Sequence, residues 1–215
     1  MRLAPEGRPF VAVAGIVLVA LTALALALGG WWWLSPALWS PVVLWIPWFF
    51  RDPPRTGPRG SQLIIAPADG KVVGVGPVEE RSFVAGPTTR VSIFMSVFDV
   101  HVNRYPVSGT VTHRHYEPGA FVNATRDKAS EANERMSLGI RTERGPVLVR
   151  QIAGLIARRI VTDAPIGAAV VQGERLGIIR FGSRVDTFLP PATHVLVGPG
   201  DRTRAGVTPI AEWQS

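Results

Sequence analysis

The residues from Phe10 to Leu28 carry no charge and read FVAVAGIVLVALTALALAL. About twenty such residues in a helix span a hydrocarbon core of roughly 30 Å. This run therefore predicts a transmembrane helix at the amino-terminal end of the chain. A cleaved signal peptide is the competing interpretation, but the apolar region is too long for one, and ALGGWWW is a poor cleavage site.

A second apolar run reaches Phe50 after Gly29, Gly30 and three consecutive tryptophans. It contains three prolines, which predict either a kinked span or a shallow re-entrant segment. Arginines flank the whole apolar region, at Arg2, Arg8, Arg51, Arg55 and Arg59. Because positive flanks stay in the cytoplasm, we expect residues 1–50 to form a helical hairpin in the cell membrane, with the rest of the chain on the cytoplasmic side.

Composition narrows the choice of partners and cofactors. The net charge of +7 comes almost wholly from arginine, since Lys71 and Lys128 are the lysines, and such a balance suits the phosphate groups of nucleic acid or lipid. Six of the seven tryptophans lie between residues 31 and 48, which favours a membrane interface and therefore lipid. The absence of cysteine excludes disulfides and thiolate catalysis, and the four histidines have no metal-ligand spacing, so no metal is expected.

Residues 51–61 have the composition of a linker, and residues 62–215 are long enough for one domain. Period-two alternation, β-branched residues and turn glycines predict a mainly β fold, a compact barrel or sandwich. Two exceptions are residues 125–136, which could form a helical turn or a loop, and residues 152–160, which could form a helix or a strand. Residues 66–75 and 170–183 resemble hairpins of lipoyl-type hybrid barrels, although a carrier domain would present a lysine that is missing here.

The residue types of a catalytic triad occur at Asp69, His101 and Ser183. A histidine can take the proton of a serine, and an aspartate can orient the imidazole and stabilise its cation. Each residue also has a structural explanation. Asp69 fits a turn, His101 fits a satisfied buried histidine, and Ser183 with Gly182 fits a bulge or turn that interrupts an alternating apolar segment.

Three segments support the chemical interpretation: APADGKVV, FMSVFDVHVNRYPVSGTV and RFGSRVDTFLP. Together they resemble phosphatidylserine decarboxylase, in its short bacterial and archaeal form, from about residue 67 to residue 190. The resemblance implies that the proenzyme cuts itself between Gly182 and Ser183, and that Ser183 becomes a covalent pyruvoyl group. It further implies that the chains 1–182 and 183–215 stay associated, with Ser183, His101 and Asp69 as catalytic residues.

One position departs from the longer bacterial members of this family. They carry a second histidine where this chain has Arg104, so His101 is expected to serve self-cleavage, decarboxylation or both. Asp99 is an alternative orienting residue, and His113 and His115 are expected on a strand surface.

The function implied by the resemblance is decarboxylation of phosphatidylserine to phosphatidylethanolamine at a membrane. Two alternatives stay open. One is a pyruvoyl-dependent decarboxylase of another amino-acid substrate, and the other is a membrane-tethered β domain that binds lipid or protein without catalysis. The sequence leaves the oligomeric state open and gives no sign of a nucleic-acid partner.

Overall fold

A computed structural model of the protein describes residues 2–119, 133–154, 159–180 and 183–214. Contacts divide the chain into two compact units, Met1–Pro54 and Arg55–Ser215.

The first unit is helical. A short strand, β1 (Arg2–Leu3), and a 3-10 turn precede helix α1 (Arg8–Leu28). A second 3-10 turn (Gly30–Trp33) connects α1 to helix α2 (Leu34–Phe49). Strand β2 (Arg51–Asp52) follows α2 and pairs with β1. Helix α1 ends at Gly29, whose φ of +66° is a conformation that glycine adopts without steric cost.

The two helices contact each other, and the indole nitrogen of Trp39 donates to the carbonyl oxygen of Ala14 at 3.0 Å. Pro41 and Pro47 lie inside α2, which stays helical around them. At about 1.5 Å per residue its 16 residues reach about 24 Å, less than a hydrocarbon core of about 30 Å. Among the described residues, only the helical stretch Pro5–Leu28 is long and apolar enough to cross a membrane.

The second unit is built almost entirely of strands, which confirms the prediction of a mainly β fold. They are β3 (Leu63–Ile65), β4 (Gly70–Glu80), β5 (Gly86–Met95), β6 (Val102–Arg104), β7 (Gly109–Glu117), β8 (Arg135–Arg141), β9 (Pro146–Ala153), β10 (Arg159–Thr162), β11 (Ala169–Val170), β12 (Arg175–Arg180), β13 (Ser183–Leu189), β14 (Thr193–Val195), β15 (Arg202–Thr203) and β16 (Pro209–Trp213).

The largest sheet has eight strands in the order β11-β7-β8-β9-β13-β5-β4-β15, and all of its neighbours pair antiparallel. Two three-stranded sheets, β10-β12-β6 and β14-β16-β3, complete the unit. The two ambiguous segments can be compared only at their described ends. Residues 135–136 and 152–153 lie in β8 and β9, and residues 159–160 begin β10, so these ends are strand.

One apolar core joins the large sheet to the small ones. Val185 of β13, Ile93 of β5 and Val149 of β9 share a face of the large sheet, since side chains two residues apart along a strand point the same way. Leu176 and Ile210 reach the same core from the two small sheets. Strand β13 lies near the middle of the large sheet, and all seven of its residues are buried.

Candidate active site

Ser183 is the first residue of β13 and is fully buried. It is directly opposite Met95 of β5 on one side and Ala153 of β9 on the other. The preceding described strand, β12, ends at Arg180 and belongs to a different sheet. The alternating apolar pattern of the sequence is therefore interrupted where the chain leaves one sheet, after Arg180, and enters another, at Ser183. Gly182, the other residue of the predicted scissile bond, lies outside the described residues.

The hydroxyl group of Ser183 donates to the thioether sulfur of Met95, with Oγ 3.4 Å from Sδ. A thioether is only a weak acceptor. The same sulfur receives a second contact, from the side-chain amide nitrogen of Asn103 at 3.6 Å. The hydroxyl group of Ser183 and the amide of Asn103, which belong to different sheets, thus both donate to the Met95 sulfur in the buried interior.

His101 is also fully buried, and a backbone contact joins it to β12, the described strand that precedes Ser183 in the chain. Its carbonyl oxygen accepts from the backbone N–H of Ile179 at 3.5 Å, four residues before Ser183. Its Nδ1 lies 3.0 Å from the carbonyl oxygen of Asp99. Because a carbonyl oxygen can only accept, Nδ1 carries the proton, and the neutral ring keeps its lone pair on Nε2. That tautomer is the one that can accept a proton at Nε2.

Asp69 lies between β3 and β4, where its carboxylate makes two strong contacts. Oδ2 accepts from Nη2 of Arg55 at 2.7 Å, and Oδ1 accepts from the backbone N–H of Ala205 at 2.7 Å. In the part of the chain that the structure describes, both oxygens are thus directed to these partners, so a role for Asp69 in orienting His101 stays a prediction.

Asp99, the alternative orienting residue, supports His101 through its main chain. Its carboxylate accepts from the backbone N–H and the hydroxyl group of Ser96, at 2.8 and 2.7 Å. These bonds fix the turn that presents the Asp99 carbonyl to His101. The backbone N–H of Arg104 donates at 2.9 Å to Pro67, two residues before Asp69, so the position of the missing second histidine adjoins the Asp69 turn.

His113 and His115 lie on β7, with ring centroids 6.2 Å apart. Burial, and then the nearby His115, lower the pKa of His113. The prediction of a strand position is confirmed, and His113 is less exposed than a surface residue because its ring packs against Phe83, with centroids 5.6 Å apart.

A buried ion pair follows Ser183 on the opposite face of β13. The guanidinium of Arg184 donates to both carboxylate oxygens of Asp186, at 2.6 and 3.1 Å, and to the hydroxyl oxygen of Ser92 at 2.8 Å. Asp186 is 0% exposed and Arg184 is 1% exposed. These contacts anchor the start of β13 to β5.

A cavity of about 750 Å³ lies elsewhere, lined in part by Arg59, Arg144 and Trp213. Its wall includes the turn between β8 and β9, whose strands pair at Arg141 and Pro146. Ser183 is next to the other end of β9, so this cavity is not part of the Ser183 site.

The family model for phosphatidylserine decarboxylase matches residues 43–211. The chain belongs to the phosphatidylserine decarboxylase family. Relatives named phosphatidylserine decarboxylase proenzyme support the assignment along nearly the whole chain. The one from Symbiobacterium thermophilum is 50% identical over 97% of this chain and 94% of its own length. Those from Saccharopolyspora erythraea and Xanthobacter autotrophicus are 48% and 47% identical, over 97% and 96% of this chain and 87% of their own lengths.

Sequence reasoning missed several residues of this family member's site. Met95, Asn103 and Gln151 surround the Ser183 side of the core, and all three are buried. Asn103 lies inside the DVHVNRYP motif, so its amide could have been noticed there. Gln151 and Met95 gave no local signal, because strand pairing places Met95 opposite Ser183 and Gln151 opposite Val185, two residues further along β13.

Proposed function

We propose that this chain decarboxylates phosphatidylserine to phosphatidylethanolamine, with a pyruvoyl group that it makes from its own Ser183. The observation that carries the proposal is the near-complete match to proenzymes of this name together with the buried position of Ser183 at the start of a central strand. Among the residues that the structure describes, the hydroxyl group of this serine contacts a thioether, a weak acceptor that gives little reason for a buried hydroxyl group in packing alone.

The proposed self-cleavage begins with attack of Ser183 Oγ on the carbonyl carbon of Gly182. The Oγ–C bond forms, the C–N bond between the two residues breaks, and the serine proton reaches the new amine through a base. β-Elimination then releases the chain 1–182 and leaves dehydroalanine, which takes up water and loses ammonia to become pyruvoyl. The chain 183–215 carries the group.

His101 is the residue that we assign to the proton transfers. Its Nδ1 lies 3.0 Å from the Asp99 carbonyl oxygen, and that contact favours the tautomer whose Nε2 can take up a proton, which supports a role as base during cleavage. The same ring, once protonated, can return a proton to the α-carbon of the substrate. Asp69 completes the proposed triad, and its carboxylate is held in place by Nη2 of Arg55 at 2.7 Å.

The residues around position 183 fit a pyruvoyl group, because they form a water-excluded setting in which the amide nitrogen of Asn103 lies against Met95, the residue opposite Ser183. When present, the group supplies an electron-withdrawing carbonyl that favours loss of the substrate carboxylate. The contribution of the chain is to exclude water, to hold residue 183 between β5 and β9, and to move the proton through His101.

The first unit is proposed to anchor the enzyme at the cytoplasmic face of the membrane, as a helical hairpin. Helices α1 and α2 expose many large apolar side chains, among them Ile16, Leu26, Leu38 and Leu44. Exposed apolar surface on both helices suits a lipid environment and not water. The flanking arginines suit anionic headgroups on the cytoplasmic side. Such an anchor would hold the catalytic unit near its lipid substrate.

Intact-mass spectrometry of the purified protein tests the proposal. We expect two fragments, 1–182 and 183–215, with a keto-bearing and blocked amino terminus on the smaller one. Ser183→Ala should stay one chain and be inactive, whereas Ser137→Ala, another buried strand serine, should be cut normally. A single chain of 23.2 kDa in the wild type would favour a non-catalytic lipid- or protein-binding domain. Cleavage with activity only on soluble amino acids would favour a pyruvoyl-dependent decarboxylase of another substrate.

A further inference from the structure

A row of hydrogen-bonded polar side chains runs between the β10-β12-β6 sheet and the large sheet to the Met95 sulfur that Ser183 contacts; Gln151 and Asn103 are buried and Thr162 is half-buried. The hydroxyl group of Thr162 donates to Oε1 of Gln151 at 2.8 Å, and Nε2 of Gln151 donates to Oδ1 of Asn103 at 2.8 Å. Nδ2 of Asn103 then points to the Met95 sulfur, as does the hydroxyl group of Ser183.

These bonds fix the orientation of the Asn103 amide. Its oxygen is held by Gln151, and the Gln151 oxygen is in turn held by Thr162, so neither amide can turn over without losing a bond in the interior. The NH2 group of Asn103 must therefore face Met95, whose sulfur the hydroxyl group of Ser183 also contacts. Packing of the two sheets does not require such a fixed donor. Two apolar side chains at these positions would pack the sheets together and would leave no buried polar groups that need hydrogen bonds.

The chemistry of Ser183 gives this donor a use. In the uncut chain both Ser183 Oγ and Asn103 Nδ2 donate to one weak acceptor. Once Oγ loses its proton it becomes an acceptor with negative charge, and it then needs a donor in a place without water. The Asn103 amide is already directed to the sulfur that Ser183 Oγ contacts, and a small shift would bring its N–H to that oxygen.

We propose that Asn103, oriented by Gln151 and Thr162, donates a hydrogen bond to Ser183 Oγ as that oxygen becomes charged during self-cleavage. This role rests on the proposed function. It makes Asn103 a catalytic residue of the cleavage step, with Gln151 and Thr162 as positioning residues.

The first measurement is the rate of cleavage of the full-length chain after a pulse of cell-free synthesis into lipid nanodiscs. Asn103→Leu should slow the appearance of fragments about tenfold to a hundredfold, the range expected for a hydrogen bond to a charged group. Thr162→Val should slow it less. Asn103→Leu combined with Gln151→Leu should be no slower than Asn103→Leu alone, because Gln151 acts through Asn103.

The second measurement does not depend on cleavage. The chain has no cysteine, so Ser183→Cys introduces a single thiol whose titration can be followed by the ultraviolet absorbance of the thiolate in the uncut fraction. Adding Asn103→Leu should raise the pKa of that thiol by about one unit, equivalent to a tenfold change. Asn103→Asp keeps the shape of the side chain and should raise it at least as much, which covers the case in which the leucine variant fails to fold.

Gln172→Leu is the matched control, since Gln172 is a buried amide that donates to the carbonyl oxygens of Leu63 and Pro106 instead. It should leave both the cleavage rate and the thiol pKa unchanged. An unchanged thiol pKa in both Asn103 variants would overturn the inference and leave Asn103 a structural residue. Failure of the wild type to cut itself would instead refute the proposed function, and the thiol titration would still report on Asn103.

Discussion

The buried ion pair of β13 gives a stability prediction whose size follows from its geometry. Asp186→Ala removes both carboxylate hydrogen bonds of Arg184, whose side chain is 1% exposed. Removing one partner of a buried pair leaves a charge without its counter-charge, which costs about 3–5 kcal/mol. The combined change Arg184→Met with Asp186→Leu removes both charges and should recover most of that loss, because neither residue then needs solvation.

Pulse proteolysis across a urea gradient, in a Ser183→Ala background to keep one chain, measures the free energy of unfolding of these variants. The Arg135 and Glu117 pair is the control, since its two bonds are also short, at 2.7 Å, but its side chains are 17% and 34% exposed. Glu117→Ala should cost about 1 kcal/mol or less. An equal loss of unfolding free energy in Asp186→Ala and Glu117→Ala would refute the argument from burial. The argument would also be refuted if the combined variant Arg184→Met with Asp186→Leu were as unstable as Asp186→Ala.

Three further predictions concern processing, catalysis and pH. After cleavage, residues 183–215 should co-elute with the large chain in size-exclusion chromatography and separate only in denaturant, because β13 pairs with β5 and β9 along both edges; separation in native buffer would contradict this. His101→Ala should lower turnover per pyruvoyl group, counted by trapping with a hydrazine, about a hundredfold or more, and near-normal turnover would show that another group returns the proton. Burial and the nearby His115 lower the pKa of His113 from 6.5, so the unfolded chain binds more protons at this residue than the folded chain does. The free energy of unfolding should therefore fall as the pH drops below 6.5. The urea midpoints measured above and below pH 6.5 should differ less in His113→Phe than in the wild type.

The strand pattern of the second unit could be predicted from the sequence because alternation survives wherever one face of a strand meets the core. Val185 and Leu189 on β13 are examples. The buried pair Arg184 and Asp186 could not be predicted, since charged residues at alternate positions usually indicate a solvent-facing side. They are buried because β13 is covered on both faces.

The proline-rich segment after the helices makes side-chain contacts that its composition does not indicate. Arg55 binds Asp69, and Nη1 of Arg59 donates to the carbonyl oxygen of Gly206 at 2.7 Å. The first two residues of this segment form β2 and residues 53–60 have no regular secondary structure, but its guanidinium groups contact partners that are distant in sequence. Composition indicates irregular backbone, and it does not indicate how the side chains pack.

The position of Ser183 explains how the fold could survive the cleavage that we propose. The described strands on either side of the proposed cut, β12 and β13, belong to different sheets. Cutting the chain before Ser183 therefore removes none of the residue pairs that β13 forms with β5 and β9. The segment after the cut also supplies β14 and β16, which pair with each other, and β16 pairs with β3 of the large chain. The nucleophile is therefore the first residue of the paired strand β13, so the proposed cut falls just before the paired residues, while its side chain lies in the core. A serine in the middle of β13 would share the burial, but a cut there would divide the central strand.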